Sequence, residues 1–321
     1  MKIVLFLCLF SAVPILSQTV DAVTESLTHS VTNDSEKVVR IYEWITKNVR
    51  YESRYQQHRV EGDTSLWQEP YNVILRKKAV CIGYAKLFRA MCQSAKIECY
   101  VVVGFAKSTK GTLENDEHAW NVVKINASWF VLDATWGINS KDFFLTDPSV
   151  FLESHYPHDP MWQLLAQPKT FSCFVENKKC WHRSPLFNFR DTIDFWMGLD
   201  SINRVKNSSE RSLRYNANSI EAIRNIANAN SEEAFQIFET YFKWREKTIL
   251  KQNPNEKPDE VFNLINMIED KLHQARFFYD RLTTFARKNE FTDAHLNRDL
   301  MQENLLKLEN ERRYVEKYFK K

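Results

Sequence analysis

Apolar positions recur along this chain with two different periods, and the change of period marks the elements. Over Glu36–Val49 the residues Val38, Ile41, Tyr42, Ile45 and Val49 repeat on one helical face, which predicts an amphipathic helix. Asn33 or Ser35 stands where a side-chain oxygen can cap it, and Glu36 suits its start electrostatically. Cys81–Ala95 is predicted as a second helix, with Ala85, Phe88, Met91 and Cys92 on its apolar side. Glu98–Phe105 is a β-branched and aromatic run, as expected of a buried strand. His118–Ile125 and Ser128–Ala134 are two more strands, separated by the hairpin signal Asn126-Ala127. The polar stretch before Asn33 is expected to be loose and Arg50–Asp63 irregular. Residues 143–170 read as loops leaning on the core, with a few short strands up to about 205.

Past residue 205 the pattern changes. From about Ser219 strand signals and glycine are absent, and apolar faces follow one another: Ala222, Ile223, Ile226, Ala227; Phe235, Phe238, Tyr241, Phe242; Val261, Leu264, Ile265, Ile268, Leu272; Leu300, Leu305, Leu308, Tyr314. Breaks at Asn253-Pro254, Pro258 and Glu290–Thr292 predict about three helices in antiparallel array. The fold class is therefore α+β: a domain over 30–200, in which a cysteine-bearing helix packs on an antiparallel sheet, followed by an all-α bundle over 205–321. The apolar faces of that bundle read as its own core, with a protein partner for the helical part as the further option.

Composition narrows the compartment and the partners. Lys2 followed by the apolar run from Ile3 to Leu16 resembles a signal peptide over 1–22, with Ser17 or Ala22 before the cut. No other segment is apolar enough to span a membrane, so a secreted or otherwise extracytoplasmic protein is expected. Forty-four basic against 41 acidic residues give a net charge of +3, which argues against nucleic acid as a partner. Without Cys8 five cysteines remain, an odd number. Cys173 and Cys180, flanking a polar Asn-Lys-Lys turn, are the better disulfide candidates; Cys92 and Cys99 read as small buried hydrophobes.

Three short motifs carry chemistry: Val80-Cys81-Ile82-Gly83-Tyr84-Ala85, Glu117-His118-Ala119-Trp120-Asn121 and Leu132-Asp133-Ala134-Thr135-Trp136. A thiol at a helix N-terminus faces the positive end of the macrodipole and unpaired N–H groups, which favour thiolate. The same groups can hold an oxyanion. Gly83 is expected to clear room for a substrate backbone. If Asn126-Ala127 is a two-residue turn with Ile125 opposite Ser128, then His118 faces Thr135 and Asp133 faces Trp120. His118 and Asp133 are then diagonal neighbours on one face, about 7–8 Å apart at the backbone. A slip of one residue would separate them. Asp133 would fix the imidazole tautomer and leave the other nitrogen for Cys81.

In this order, Cys-x-Gly-Tyr-Ala on a helix, His-Ala-Trp-Asn on a strand and Asp-x-Thr-Trp resemble the transglutaminase-like superfamily. The resemblance covers about Glu36 to Leu165. Phe144-Leu-Thr-Asp-Pro and His155 to Leu165 are similar to the branch that includes kyphoscoliosis peptidase. It implies a papain-like fold with Cys81 as nucleophile, His118 as base and Asp133 as orienting acid, acting through an acyl-enzyme on a protein or peptide amide. It also implies a second oxyanion donor upstream of the cysteine, which Trp67 or Gln68 could supply. Hydrolysis is the expected outcome, with acyl transfer to an amine or an inactive binding module as alternatives.

Bland roles compete for the remaining residues. Tyr84, one turn from Cys81, could line the cleft or pack. Trp120, like Trp129 and Trp136, suits a core at least as well as a substrate. His155, His158 and Asp159 are irregularly spaced, so no metal or other cofactor is expected. Asn33, Asn126 and Asn207 lie in Asn-x-Ser sequons.

Overall fold

A computed structural model describes residues 19–53, 65–138, 140–177, 186–250, 258–285 and 292–320. The expected leader therefore lies almost wholly outside the described residues. The chain forms two compact units, Met1–Val103 with His118–Asp147, and Gly104–Glu117 with Pro148–Lys321.

In the first unit the stretch expected to be loose is a helix, α1 (Val20–Thr28). Thr19 Oγ1 accepts the Ala22 N–H at 3.1 Å, and Val20, Val23 and Leu27 pack against the core. Its polarity misleads because Thr24 and Thr28, both buried, donate their hydroxyls back to the carbonyls of Val20 and Thr24. Such back-bonding satisfies a hydroxyl without water. Next comes α2 (Asp34–Asn48), capped by Asn33 Oδ1, which accepts the Ser35 N–H at 2.8 Å. It buries Val38, Ile41, Tyr42 and Ile45, the face that the apolar repeat predicts. Two short strands, β1 (Arg50–Tyr51) and β2 (Lys78–Ala79), pair in parallel. Between them lie a 3₁₀ turn at Ser65–Gln68 and α3 (Pro70–Arg76), with proline at the helix start. α4 (Cys81–Ser94) follows.

The strands are β3 (Cys99–Ala106), β4 (His118–Ile125) and β5 (Ser128–Leu132), in the order β5-β4-β3. Ile125 pairs with Ser128, and the ladder runs to Asn121 opposite Leu132, the register expected for a two-residue turn. Asn126 and Ala127 both have positive φ, 49° and 64°, as a type I′ hairpin requires. α4 packs on β4, and Tyr84, Leu87, Phe88, Met91 and Cys92 join Ile41, Ile45, Val123 and Leu132 in one core.

In the second unit the last three residues of β3 pair antiparallel with β6 (His155–Pro157), which follows α5 (Pro148–Phe151). Where short strands were expected near 170–205, the described residues are helical: α6 (Phe171–Val175), α7 (Phe189–Met197) and the start of α8 (Ser201–Tyr215). Asn188 and Asp200 cap the last two by accepting the N–H groups of Asp191 and Asn203, so these polar residues start helices instead of ending strands. Asp159, from the His-Asp-Pro-Met-Trp stretch, is buried and paired with both Nε and an Nη of Arg211 on α8, each at 2.7 Å. Long helices α9 (Ile220–Arg245), α10 (Pro258–Phe285) and α11 (Thr292–Phe319) follow. Tyr279 reaches back to Asn228, and Arg276 and Arg312 reach Gln302 and Glu269. Neighbouring helices therefore run antiparallel, over a core that includes Ile223, Tyr241, Ile265, Leu272 and Leu308.

The fold is thus α+β with a C-terminal helical region. Residues 148–200, grouped with the first domain on sequence, fall in the same unit as that region. No helix among the described residues is long and apolar enough to cross a membrane.

Candidate active site

Three elements of the first unit bring the three motifs together. Val80 is extended (φ −98°, ψ 178°) and turns the chain from β2 into α4, so Cys81 is the first helical residue. Its thiol is half-buried and unbonded to other cysteines. First-turn N–H groups of a helix lack partners within it, and that of Cys81 is among them. His118 opens β4. Asp133 follows immediately on β5.

His118 Nε2 and Asp133 Oδ2 lie 2.7 Å apart, and the Cys81 thiol interacts with the same imidazole. With Nε2 engaged by the carboxylate, Nδ1 is the nitrogen left for sulfur. Both members of the pair are buried, His118 at 8% exposure and Asp133 at 0%. Burial alone would push His118 toward its neutral form. The charge and hydrogen bond of Asp133, then the hydrogen bond and charge of Cys81, outweigh it and push the imidazole up to about 10. The carboxylate is fixed on its other side, since Oδ1 accepts the Thr135 N–H at 2.7 Å. The peptide around Asp133 is pinned as well: its N–H donates to Phe143, and its carbonyl accepts from Gly137 N–H and Tyr42 Oη. A Cβ on Gly137 would fall 1.7 Å from Tyr42 Oη, so glycine is needed there to let the phenol in. Trp136 and Trp120 flank the imidazole, with ring centres 5.3 and 6.1 Å away.

Upstream, Gln68 is fully enclosed, at 2% exposure. Its Oε1 accepts the Val80 N–H at 3.0 Å. That bond fixes which end of the amide points where, and Nε2 is left buried without a partner among the described residues. The role expected for Gly83 changes accordingly. A Cβ there would meet Gln68 Oε1 at 2.3 Å and Ala79 Cβ at 2.8 Å, so the glycine makes room for Gln68, not for a substrate backbone. Trp67, the other candidate donor, lies under the Arg76 guanidinium at 4.2 Å.

Tyr84 and Trp120, for which both a cleft and a core position were open, sit in the core. Tyr84 has 0% exposure and donates its hydroxyl to the Val49 carbonyl at 2.7 Å. Its placement one turn past Cys81 directs it inward, because the helix rests that face on the core. Trp120 is 1% exposed and acts as a wall behind the imidazole. In the second unit, hydrogen bonds join His155 to Ser154, His158 to Glu117 and Asp159 to Arg211.

Asn121 is a residue to which the motif alone assigns no task. It is wholly buried, and its Nδ2 donates to the Ala85 carbonyl on α4 at 3.0 Å and to Tyr100 on β3 at 3.3 Å. The strand that carries His118 is thereby tied to the helix that carries Cys81. The signal was present in the sequence as a polar residue inside an otherwise apolar strand.

Residues 21–134 match the family model of the transglutaminase-like superfamily. Among curated proteins the chain is similar to human kyphoscoliosis peptidase, 31% identical over 186 residues, covering 52% of this chain and 27% of that protein. The mouse protein of the same name is 32% identical over 174 residues, covering 49% and 25%. Hillarin of Drosophila melanogaster is 29% identical over 173 residues, covering 44% and 20%. The matched segment thus spans about a quarter of the length of the human and mouse relatives.

Proposed function

Because residues 21–134 are a transglutaminase-like domain, we propose that the chain is a cysteine-dependent enzyme acting on protein or peptide amide bonds. One observation carries this reading: the imidazole of His118 is hydrogen-bonded to the Asp133 carboxylate and interacts on its other side with the Cys81 thiol. Sulfur attacks the carbonyl carbon while the oxyanion is held by the Cys81 N–H and Gln68 Nε2. A buried amide donor with its other end anchored is preorganised for that task. The C–N bond breaks as His118 delivers a proton to the leaving amine, and an S-acyl enzyme remains. Water, deprotonated by His118, then attacks the acyl carbon; the C–S bond breaks, the acid leaves, and the thiol is restored.

We favour water as the acyl acceptor over an amine. Support comes from the human and mouse relatives, which are named peptidases. Export from the cytosol belongs to the same reading. It is supported by the signal-like residues 1–22 and by the disulfide at Cys173, a bond that persists in oxidising compartments.

The test is turnover of a peptide-amide library, with the Cys81→Ala variant beside the native chain. Acid products from the native chain, and their loss in the variant, are expected. Amine-capped products would replace hydrolysis by acyl transfer. Equal rates for variant and native chain would overturn the enzyme reading.

A further inference from the structure

Asn126, Ala127 and Ser128 form an Asn-x-Ser sequon at the tip of the β4–β5 hairpin, and all three residues are exposed. Neither the Asn126 carboxamide nor the Ser128 hydroxyl is hydrogen-bonded to another described residue. The other two sequons are engaged by the fold. Asn33 is exposed, but Asp34 and Ser35 are half-buried, and Asn33 Oδ1 caps α2 by accepting the Ser35 N–H. Asn207 lies inside α8 and is half-buried, its Oδ1 accepts a guanidinium N–H of Arg211 at 2.5 Å, and Ser209 is buried. Only the hairpin sequon is exposed along its whole length.

Backbone geometry accounts for part of this motif. A type I′ turn needs positive φ at both central residues, and asparagine tolerates that better than most side chains. The two residues after it are not explained in this way. Ala127 holds φ at 64°, where glycine would be relaxed, and Ser128 gives an exposed strand position to a hydroxyl that bonds nothing among the described residues. We propose that Asn126 is a modification site and carries an N-linked oligosaccharide in the exported protein. The sequon is the acceptor signal, and the hairpin tip holds the amide where a bulky, hydrated chain displaces no packed group. This rests on the export reading and is independent of the catalytic one.

The donor is an oligosaccharide joined through its anomeric carbon to a polyprenyl diphosphate. Asn126 Nδ2 attacks that carbon, the C–O bond to phosphate breaks, and the diphosphate leaves with the bonding pair. Nδ2 gives up one proton to a base of the transferase, and nothing is oxidised or reduced. The sugar stands clear of the catalytic residues. β4 runs from His118 to Ile125, so at roughly 3.3 Å per residue the turn lies about 23 Å along the strand from His118. It stands instead beside the start of β5, the edge strand of its sheet. A hydrated chain there keeps that edge from pairing with another sheet.

The experiment expresses the full chain in insect cells, once as it stands and once with the leader of a known secreted protein in place of residues 1–17. Chain from the medium and from the microsomal fraction is treated with peptide N-glycosidase in heavy-oxygen water and read by peptide mass spectrometry. Asn126 is expected to be converted to aspartate bearing the heavy oxygen. Ser128→Ala is expected to abolish that label and to leave the circular dichroism unchanged, because Ser128 is exposed. Asn126→Gln is a poorer control, since glutamine would sit at a φ of 49°. Chain brought into the pathway by the borrowed leader with Asn126 unlabelled would overturn the proposal, as would a label that survives Ser128→Ala. A label with the borrowed leader but not with the chain's own supports the site and counts against the export reading alone. Loss of activity in Cys81→Ala has no bearing on any of these outcomes.

Discussion

His118 and Asp133 meet because a two-residue hairpin makes them diagonal neighbours: Ile125 pairs with Ser128, the ladder closes at Asn121 and Leu132, and Nε2 comes to rest 2.7 Å from Oδ2. Fifteen residues of sequence separation collapse to one hydrogen bond through register alone. A one-residue insertion at Asn126-Ala127 would put the two side chains on opposite faces.

The pair has a pH signature. The ordinary histidine value of 6.5 is raised to about 10 in the folded chain. A base whose folded value exceeds its unfolded one adds stability in full below about 6.5, and that stability is lost as pH rises through about 10. Histidine-labelled NMR should show His118 protonated through neutral pH and titrating near 10. In Asp133→Asn the dominant raising influence is gone while burial persists, so the titration should move down by several units. Activity should fall roughly 10²–10⁴-fold. An unmoved His118 titration in the variant would contradict the assignment of Asp133 as its partner.

Gln68 and Gly83 should behave as one unit. Gly83→Ala drives a methyl to within 2.3 Å of Gln68 Oε1, and overpacking of this kind costs about 1–3 kcal/mol. Gln68→Ala should cost about 10²–10³-fold in kcat if Nε2 holds the oxyanion. Part of the Gly83→Ala penalty should disappear in the double variant, because the clashing oxygen is absent; Ala79 Cβ at 2.8 Å keeps the rest. Denaturant midpoints of the four chains measure the coupling, and strict additivity would show that the two side chains do not compete for the same space.

Asn121 holds carbonyls from two elements, so replacing its donor is worse than shortening it. Asn121→Asp puts a carboxylate against the Ala85 and Tyr100 oxygens, and a loss of about 3 kcal/mol or more at neutral pH is expected. Protonation restores a donor, so the deficit relative to the native chain should shrink as pH falls toward 5. A deficit that is constant with pH would mean that the amide donates nothing essential.

Under the proposed export, α1 decides between the two expected cleavage points. Thr19 caps this helix, and Val20 packs on the core; a cut after Ala22 removes both. If the chain is exported as proposed, terminal sequencing of the secreted form should therefore begin at Gln18, after Ser17. A start at Val23 would require α1 to unravel, and would show as a lower melting temperature than that of a chain beginning at Gln18.

Some of this architecture is written plainly in the sequence and some is not. The α2 face, the β4–β5 register and the start of α4 follow from period, turn length and the order of the motifs. α1 was hidden because two threonines bury hydroxyls that their own helix satisfies. Tyr84 stays undecided between cleft and core on sequence because its distance along the helix from Cys81 is short; which face meets the core is decided by Val49 and α2, far away in sequence. Gly83 invited a reading about substrate because the residue that fills its missing side chain, Gln68, comes from a separate turn. Local pattern reports period and capping well, and it reports nothing about which distant group occupies a gap.

Asp159 and Arg211 bear on how this protein can be handled in pieces. The carboxylate also accepts the Met161 N–H at 3.0 Å, so one buried anion shapes the His-Asp-Pro-Met-Trp loop and binds a guanidinium 52 residues away. A gene fragment that stops near residue 205 keeps the anion and discards its counter-ion. Stranding a charge in this way costs about 3–5 kcal/mol, comparable to the whole stability margin of many domains. The helical tail is thus a structural creditor of the loop before it, and a minimal expression fragment should end no earlier than Tyr215, where α8 ends.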